Sequence, residues 1–305
     1  MEERGMKPIL TVFTPTYNRA HTLGQCYESL KRQTCKEFIW LIIDDGSSDS
    51  TEQLVQKWIE EKNVTIQYHY QQNQGMHGAH NTAYELINTE LNVCMDSDDY
   101  MTDDAVEKIV HFWKQNGSDS YAGILALDAT PDYKVIGCRL PEDKLTTTLM
   151  GFYANGGTGD KKLIYRTEVI KQYPPYPIFE REKYVGLNYK YMMVDKDYSL
   201  LIMNEIVCLV EYLADGSSMN MVHQYRKNPR GFAELRKAGM IYKPGLKAKF
   251  KEAIHYVSSS IMIRNSKFIK ESPCRGLTTL AILPGIALYM FIMCTSKNTV
   301  MRKAS

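Results

Sequence analysis

The chain has 305 residues and a mass of 35.1 kDa, which is room for one large domain or two modest ones. With 44% apolar and 24% charged residues it is an ordinary globular mix, which argues against a disordered, collagenous or coiled-coil protein. The net charge of +2 conceals a split: residues 1–222 carry 21 Lys/Arg against 32 Asp/Glu, whereas residues 223–305 carry 16 against 3. An acidic body suits a cation or a substrate, and a basic tail suits phosphate or a membrane surface. Seven scattered cysteines, with no CxxC pair and no zinc spacing, fit a reducing compartment. The opening Met1-Glu2-Glu3-Arg4-Gly5 lacks a basic-then-apolar signal pattern, so the body is expected to be cytoplasmic.

Ile9 to Thr14 is a β-branched run ending at Pro15, which predicts a buried strand entering a loop. Leu23 to Leu30 has helical spacing. Phe38 to Ile43 predicts a second buried strand that stops at Asp44-Asp45-Gly46-Ser47. Asp49-Ser50-Thr51-Glu52 reads as a capping box opening a helix through Ile59. Val64 to Tyr70 alternates as a third strand, a loop at 71–78 leads into a helix through Leu86, and Leu91 to Met95 is a fourth strand ending at Asp96. Thr102 is placed to cap the next helix, with Asp103 and Asp104 in its first turn. Strand–loop–helix repeated four times implies a mostly parallel sheet with helices on its faces, and ligands in such sheets bind outside the carboxyl ends of the strands. Further strands are expected at 121–128, 161–166, 198–203 and 206–212, with a helix near 184–194 and a basic helical region over 219–270.

Three polar clusters fall at strand ends: Thr14-Pro15-Thr16-Tyr17-Asn18-Arg19, Asp44-Asp45-Gly46-Ser47 and Asp96-Ser97-Asp98-Asp99. Carboxylates two residues apart across a tight turn can face one hard cation, and Mg²⁺ or Mn²⁺ is commonly held by one or two carboxylates plus substrate phosphates. Turn and helix-start chemistry would use the same residues. Asp44 and Asp45 are surplus to capping, which Asp49 can supply, and this favours a ligand role such as accepting from a nucleobase N–H or a ribose hydroxyl.

These clusters, taken with Gln74-Gly75-Met76-His77-Gly78-Ala79-His80-Asn81, resemble glycosyltransferase family 2 over residues 8–115, and more loosely over 150–222. The resemblance implies an α/β, Rossmann-like GT-A fold: a mixed, mostly parallel sheet flanked by helices. It implies that Pro15, Tyr17 and Arg19 line a nucleotide pocket and that Asp45, with Asp44, binds uracil or ribose. Gly75, His77, His80 and Asn81 fall in its third motif. Asp96, beside Ser97, would touch ribose or sugar, and Asp98 would coordinate a divalent metal, Mn²⁺ or Mg²⁺, bridging the diphosphate. Many members carry Arg or Lys where this chain has His80, and a neutral imidazole grips a diphosphate less firmly. For the catalytic base the nearest match to the family's Glu-Asp pair is Phe179-Glu180-Arg181-Glu182-Lys183-Tyr184, with Lys183 in place of the Asp. Glu182 is the first candidate and Glu180 the second, followed by Asp195 or Asp197. A solvated charged loop is the alternative for this segment.

Gly156-Gly157-Thr158-Gly159-Asp160-Lys161 could approach a sugar closely or form a plain hairpin loop. No charge occurs from Gly276 to Ser296, and 14 of the 18 residues from Leu277 to Cys294 are apolar. Pro284-Gly285 interrupts this run, and Lys270, Arg275, Lys297, Arg302 and Lys303 flank it. A kinked interfacial helix on anionic lipid, a membrane span, and a helix packed on the body are the readings it allows. Nucleic acid is not an expected partner, because no recognition motif accompanies the basic charge.

The sequence thus predicts a catalytic domain over 1–222 and a basic helical extension over 223–305 with an apolar segment at 276–296. The function that the resemblance implies is metal-dependent, inverting transfer of a sugar, hexosyl or N-acetylhexosaminyl, from a nucleoside diphosphate donor, expected to be UDP-linked, to a saccharide acceptor. That acceptor is expected to be lipid-linked, at the inner face of the cell membrane, in capsular, exopolysaccharide or cell-surface glycan synthesis. A nucleotidyltransferase-like enzyme and a non-catalytic sugar-nucleotide-binding subunit are the alternatives.

Overall fold

The computed structural model describes residues 8–211 and 221–301. The first residues, 212–220, and Arg302 and Lys303 in the tail lie outside the described residues. Contacts divide the chain into two compact units, Met1–Pro174 with Asp197–Glu211, and Pro175–Lys196 with Tyr212–Ser305. The border expected at 222 differs from this partition mainly in residues 175–196, which fold with the C-terminal helices.

The first unit is built on a nine-stranded sheet. Its strands are β1 (Leu10–Thr16), β2 (Phe38–Asp44), β3 (Ile66–Tyr70), β4 (Leu91–Cys94), β5 (Tyr100–Met101), β6 (Tyr121–Ala129), β7 (Thr146–Thr147), β8 (Lys161–Arg166) and β9 (Ser199–Leu209). The order is β3-β2-β1-β4-β8-β6-β9-β5, with β7 paired to β9. The β3-β2-β1-β4 half is parallel; β8 runs antiparallel to both β4 and β6, and β6 and β9 pair in parallel. Every residue of β1 is buried, which is why its sequence is uncharged and rich in β-branched residues, whereas β3 at the edge is largely exposed.

Helices α1 (Leu23–Lys31), α2 (Thr51–Glu61), α3 (Met76–Leu86) and α4 (Ala105–Asn116) follow successive strands, joined later in the unit by the short α5 (Leu149–Ala154) and α6 (Thr167–Lys171). The core on one side is aromatic: Tyr27 stacks on Trp58 at 4.5 Å, Trp58 on Trp40 at 5.8 Å, and the Trp40 indole donates to Thr14 Oγ1 at 2.9 Å. Two expected caps are rearranged. Asp49 of the expected box does accept at the start of α2, its Oδ1 from the Thr51 N–H and hydroxyl, but the residue flanking the helix is Ser50. At α4 the flanking residue is Asp104, and Thr102 takes part through its carbonyl, which accepts from the Ala105 N–H.

The two strands expected at 198–203 and 206–212 are one strand, β9. At the gap between them, the Asn204 side chain bonds the backbone of Leu140 in both directions, at 2.9 and 3.1 Å, and holds an irregularity inside the strand. The glycine-rich segment before β8 is also fixed. Lys161 Nζ donates to the carbonyls of Ile136, Thr158, Gly159 and Asp160, and a Cβ on Gly159 would stand 2.2 Å from the Ile136 oxygen. Close backbone packing and a φ of 78° together explain that glycine.

The second unit contains most of α7 (Asn188–Asp197), with α8 (Met221–Lys227), α9 (Pro229–Tyr242), α10 (Leu246–Met262), α11 (Phe268–Glu271), α12 (Arg275–Leu280) and α13 (Ile282–Met301). Its core joins Ala233, Met240, Ala253, Tyr256, Val257 and Ala281, and Phe232 stacks on Tyr184 at 5.0 Å. Glu252, nearly buried, meets Arg236 at 2.9 Å and Lys243 at 2.6 Å. Burial alone would raise its pKa, but these two cations outweigh burial and hold the carboxyl below its ordinary value.

Candidate functional site at the carboxyl ends of the parallel strands

Register places the polar clusters side by side. Leu10 to Thr16 of β1 run level with Phe38 to Asp44 of β2, Phe13 lies opposite Cys94 of β4, and Asp44 lies opposite Tyr70 of β3. The backbone continues the match beyond the strands: the Asp45 N–H donates to Thr16 O, Gln71 N–H to Asp44 O, and Met95 N–H to Phe13 O. The loops after β1, β2, β3 and β4 therefore leave from adjacent positions on one rim.

Side chains then lock the loops together. The Asn18 N–H donates to Ser47 Oγ, the Ser48 N–H to Asn18 Oδ1, and the Ala20 N–H to Asp49 Oδ2. Asp44 is 1% exposed and accepts from the Ser47 N–H at 2.8 Å and the Tyr68 hydroxyl at 2.7 Å. Burial, followed by this bond to a carboxylate, raises the Tyr68 pKa and keeps the phenol a donor. Asp45 ties β2 to the third motif: Oδ1 accepts from Gln71 Nε2 and the Gln74 N–H, and Oδ2 from the Gly75 N–H, all at 2.7–2.8 Å. Gly75 sits at φ 84°, ψ 166°, a conformation reserved for glycine, so this anchoring of the α3 start depends on residue type.

Asp44 and Asp45 thus shape the rim from within. Tyr17 is half exposed, while Arg19, Asn81, Asp96 and Asp98 are half-buried and Pro15 is buried in β1. Two buried polar atoms at this rim have no hydrogen-bond partner among the described residues, Thr16 Oγ1 and Gln71 Oε1. An unmet buried acceptor or donor costs about 1–3 kcal/mol, so both atoms gain by meeting water or another polar group.

The Asp96–Asp99 turn is clamped from α1. Gln25 Nε2 donates to Asp98 O at 2.6 Å, and the Cys26 thiol to Asp99 O at 3.1 Å. Ser97 is 9% exposed. Asp99, 4% exposed, points inward to Lys162 Nζ at 3.7 Å, and Lys162 reaches Asp128 at 3.5 Å. Burial drives Asp99 up and Lys162 opposes it, while Asp96, Asp128 and Asp98 add to the rise and leave it pushed up to about 8. Burial would lower Lys162, yet the surrounding carboxylates, Asp128 foremost, hold it well above its ordinary value, so the ammonium stays charged. Burial also pushes the thiols of Cys26, Cys94 and Cys208 well up, which makes them packing groups, not nucleophiles.

Several expectations change. His77 and His80 are 1% and 0% exposed. The His80 ring meets Phe13 edge-on at 5.0 Å and Tyr84 at 5.8 Å, and its Nδ1 bonds Met76 O within α3. Both histidines are interior residues of the helix, because the α3 face that packs on β1 recurs at that spacing. Glu182 is 8% exposed, and its carboxylate accepts from the Arg230 N–H at 3.1 Å and the Gly231 N–H at 2.9 Å. It therefore caps the α9 N-terminus, whose unpaired N–H groups attract a carboxylate more strongly than solvent does. Lys183 continues the same cap, its N–H donating to Asn228 Oδ1. Glu180 keeps an exposed carboxylate, paired at 3.4 Å with Arg181. Asp197 accepts from the Tyr173 hydroxyl at 2.9 Å.

Sequence reasoning passed over Gln71, Asp128 and Lys162. The signal for the last two was present: one Asp at the end of an apolar strand and one Lys at an inward position of another, each costly unless paired.

Among the described residues no three His, Cys, Asp or Glu side chains gather into a complete metal cage. The half-buried carboxylates of Asp96 and Asp98 are oxygen donors only. That set fits a hard divalent ion completed by substrate phosphates, and does not fit a soft or structural metal.

Residues 11–160 match the family model described as glycosyl transferase family 2. This segment is a family 2 glycosyl transferase domain. Escherichia coli chondroitin synthase is 33% identical over 100 residues, which is 33% of this chain and 14% of that protein, so the chain spans about one seventh of this relative's length. Among solved structures, S. aureus TarS 1–349 in complex with UDP-GlcNAc matches with a TM-score of 0.58 at 17% identity, covering 96% of this chain and 92% of that one. The mannosyltransferase PcManGT from Pyrobaculum calidifontis, in complex with GDP-Man and Mn²⁺, matches with a TM-score of 0.56 at 15% identity, covering 94% and 88%. At such identities the likeness establishes the fold, which is the GT-A class expected from the sequence. The family 2 domain contains β1 to β4, their four rim loops and Asp128, with β8 starting at its end.

Proposed function

We propose that this protein is an inverting glycosyltransferase that moves a sugar from a nucleoside diphosphate donor, UDP-linked, to a hydroxyl of a saccharide in the synthesis of a bacterial surface polysaccharide. The observation that carries this reading is the register of β1, β2, β3 and β4. It sets the four family 2 loops on one rim, with Thr16 Oγ1 and Gln71 Oε1 lacking hydrogen-bond partners among the described residues. Further support comes from the family match, from the polysaccharide synthase among the relatives, and from solved neighbours holding UDP-GlcNAc or GDP-Man.

On this reading, the Asp44–Ser47 and Gln71–Gly75 loops form the wall for the base and ribose, Tyr17 and Arg19 close the pocket, and Asp96 faces the ribose or sugar. Asp98 would hold a divalent cation, Mn²⁺ or Mg²⁺, which would supply positive charge to offset that on the departing diphosphate. The acceptor oxygen bonds to the anomeric carbon as the bond from that carbon to the phosphate oxygen breaks, and the acceptor proton passes to a carboxylate. Glu182 is engaged at α9, so Glu180 is the candidate base of the acidic segment. The acceptor is proposed to be lipid-linked and presented at the inner face of the cell membrane.

The experiment is a donor panel of UDP-, GDP- and dTDP-sugars with Mn²⁺, read as nucleoside diphosphate release and acceptor glycosylation by mass spectrometry. Release from one UDP-sugar is expected, and nucleoside monophosphate transfer in its place would make the protein a nucleotidyltransferase. A non-catalytic sugar-nucleotide-binding role is the second reading, favoured by the capping role of Glu182. Binding without turnover on any lipid-linked saccharide would select it.

A further inference from the structure

The helix α13 is apolar on two sides. Gly285 and Ile292 turn inward, as does Ala281 just before the helix, and Gly285 packs so closely on α10 that a Cβ there would stand 2.6 Å from the Val257 side chain. Leu283 (78% exposed), Met290 (53%) and Phe291 (60%) recur at helical spacing on the outward side, continuing from Leu280 (71%). No charged residue interrupts Gly276 to Ser296. A soluble helix normally places charge on such a face, so this one calls for an apolar environment.

Two observations select the environment. The stretch leading into α13 presents exposed Arg264, Lys267, Lys270 and Arg275, with Glu271 the one acid there, and Glu271 accepts from Asn265. In addition, among the described residues no helix is long and apolar enough to cross a membrane. The interruption expected at Pro284-Gly285 also disappears, because the helix breaks earlier, between α12 and α13. Pro284 then falls in the first turn of α13, where its missing N–H is harmless.

The geometry points to the outward face of α13, with Arg264, Lys267, Lys270 and Arg275 before it, as a docking surface for an anionic lipid bilayer, the helix lying along the boundary between headgroups and acyl chains. An apolar face beside a cationic flank matches the layered chemistry of that boundary, whereas a second copy of this chain would bring its own cations against these. This inference deepens the reading that the acceptor is lipid-linked, and places the protein where such an acceptor would be.

The test is flotation of the full chain with vesicles of phosphatidylcholine alone or mixed with phosphatidylglycerol, without donor or acceptor, so its result is independent of sugar transfer. Binding to the mixed vesicles is expected, and it should weaken as salt rises. The variant Leu283→Glu/Phe291→Glu should lower partitioning by about tenfold or more, and Lys267→Glu/Lys270→Glu/Arg275→Glu should remove the preference for phosphatidylglycerol. These side chains are exposed, and an unchanged thermal melt verifies that both variants fold. Absence of flotation, or flotation unaffected by either variant, would overturn the proposal. So would a wild-type dimer in sedimentation velocity that the Leu283→Glu/Phe291→Glu variant dissociates while vesicle binding is absent.

Discussion

Two acidic segments offer themselves for chemistry, Asp96–Asp99 in the first unit and Glu180–Glu182 in the second, and they fold to different ends. The first follows a buried parallel strand and is held by its backbone, through Gln25 and Cys26, so Asp96 and Asp98 stay half-open. The second reaches the N-terminus of α9, distant in the chain, where the N–H groups of Arg230 and Gly231 draw the Glu182 carboxylate in. A carboxylate is available for chemistry when other groups satisfy the backbone around it. Where it satisfies the backbone itself, it is structure.

Substitutions can break or sharpen this contrast. Behind the first segment, Lys162→Met would leave Asp99 and Asp128 buried without their cation, and a loss of about 3–5 kcal/mol in chemical denaturation is expected. A stability within experimental error of wild type would mean that the pair is not a counter-ion site. On the open side of the same turn, Asp98→Ala should leave the melting temperature nearly unchanged while lowering kcat by about 10²–10³, the scale of losing one electrostatic contact to developing charge. Steady-state kinetics on the donor found by the panel checks this, and full activity would remove Asp98 from the site.

In the second segment the pattern should invert. Glu182→Ala should cost about 0.5–2 kcal/mol, as for a lost helix cap, with UDP affinity retained. If stability held and kcat alone collapsed, Glu182 would be the base after all. Glu180→Gln should leave the melt unchanged and depress kcat.

The second unit also carries a pH dependence separate from the rim. Burial first, then Arg236 with Lys251 and Lys243, against the opposing Glu252, lowers the His255 pKa to about 4. An unfolded histidine titrates near 6.5, so between those values the unfolded chain binds more protons, and stability falls as pH drops from about 6.5 towards 4. In His255→Asn that part of the melting curve against pH should flatten, and an unaltered slope would contradict the assignment.

The rim could be read from the sequence because parallel strands report themselves twice: a buried strand is a run of apolar letters, and its polar stop lands on one edge whatever the loop lengths. The roles of Glu182 and His80 could not be read that way. Each depends on a partner, Gly231 for Glu182 and Phe13 for His80, that is 49 and 67 residues distant in the chain, and local spacing carries no trace of it. The antiparallel insertion of β8 between β4 and β6 was hidden for the same reason, and with it the Lys162 ion pairs.

The most incisive measurement is isothermal titration of UDP into the full chain in Mn²⁺ and in EDTA, repeated with Asp98→Ala. If the rim joins a nucleoside diphosphate to a cation on Asp98, binding in Mn²⁺ should be at least about tenfold tighter than in EDTA, a difference of about 1.4 kcal/mol, and the variant should lose that gain. Equal affinity in all three arms, or no binding by the wild-type chain, would contradict it.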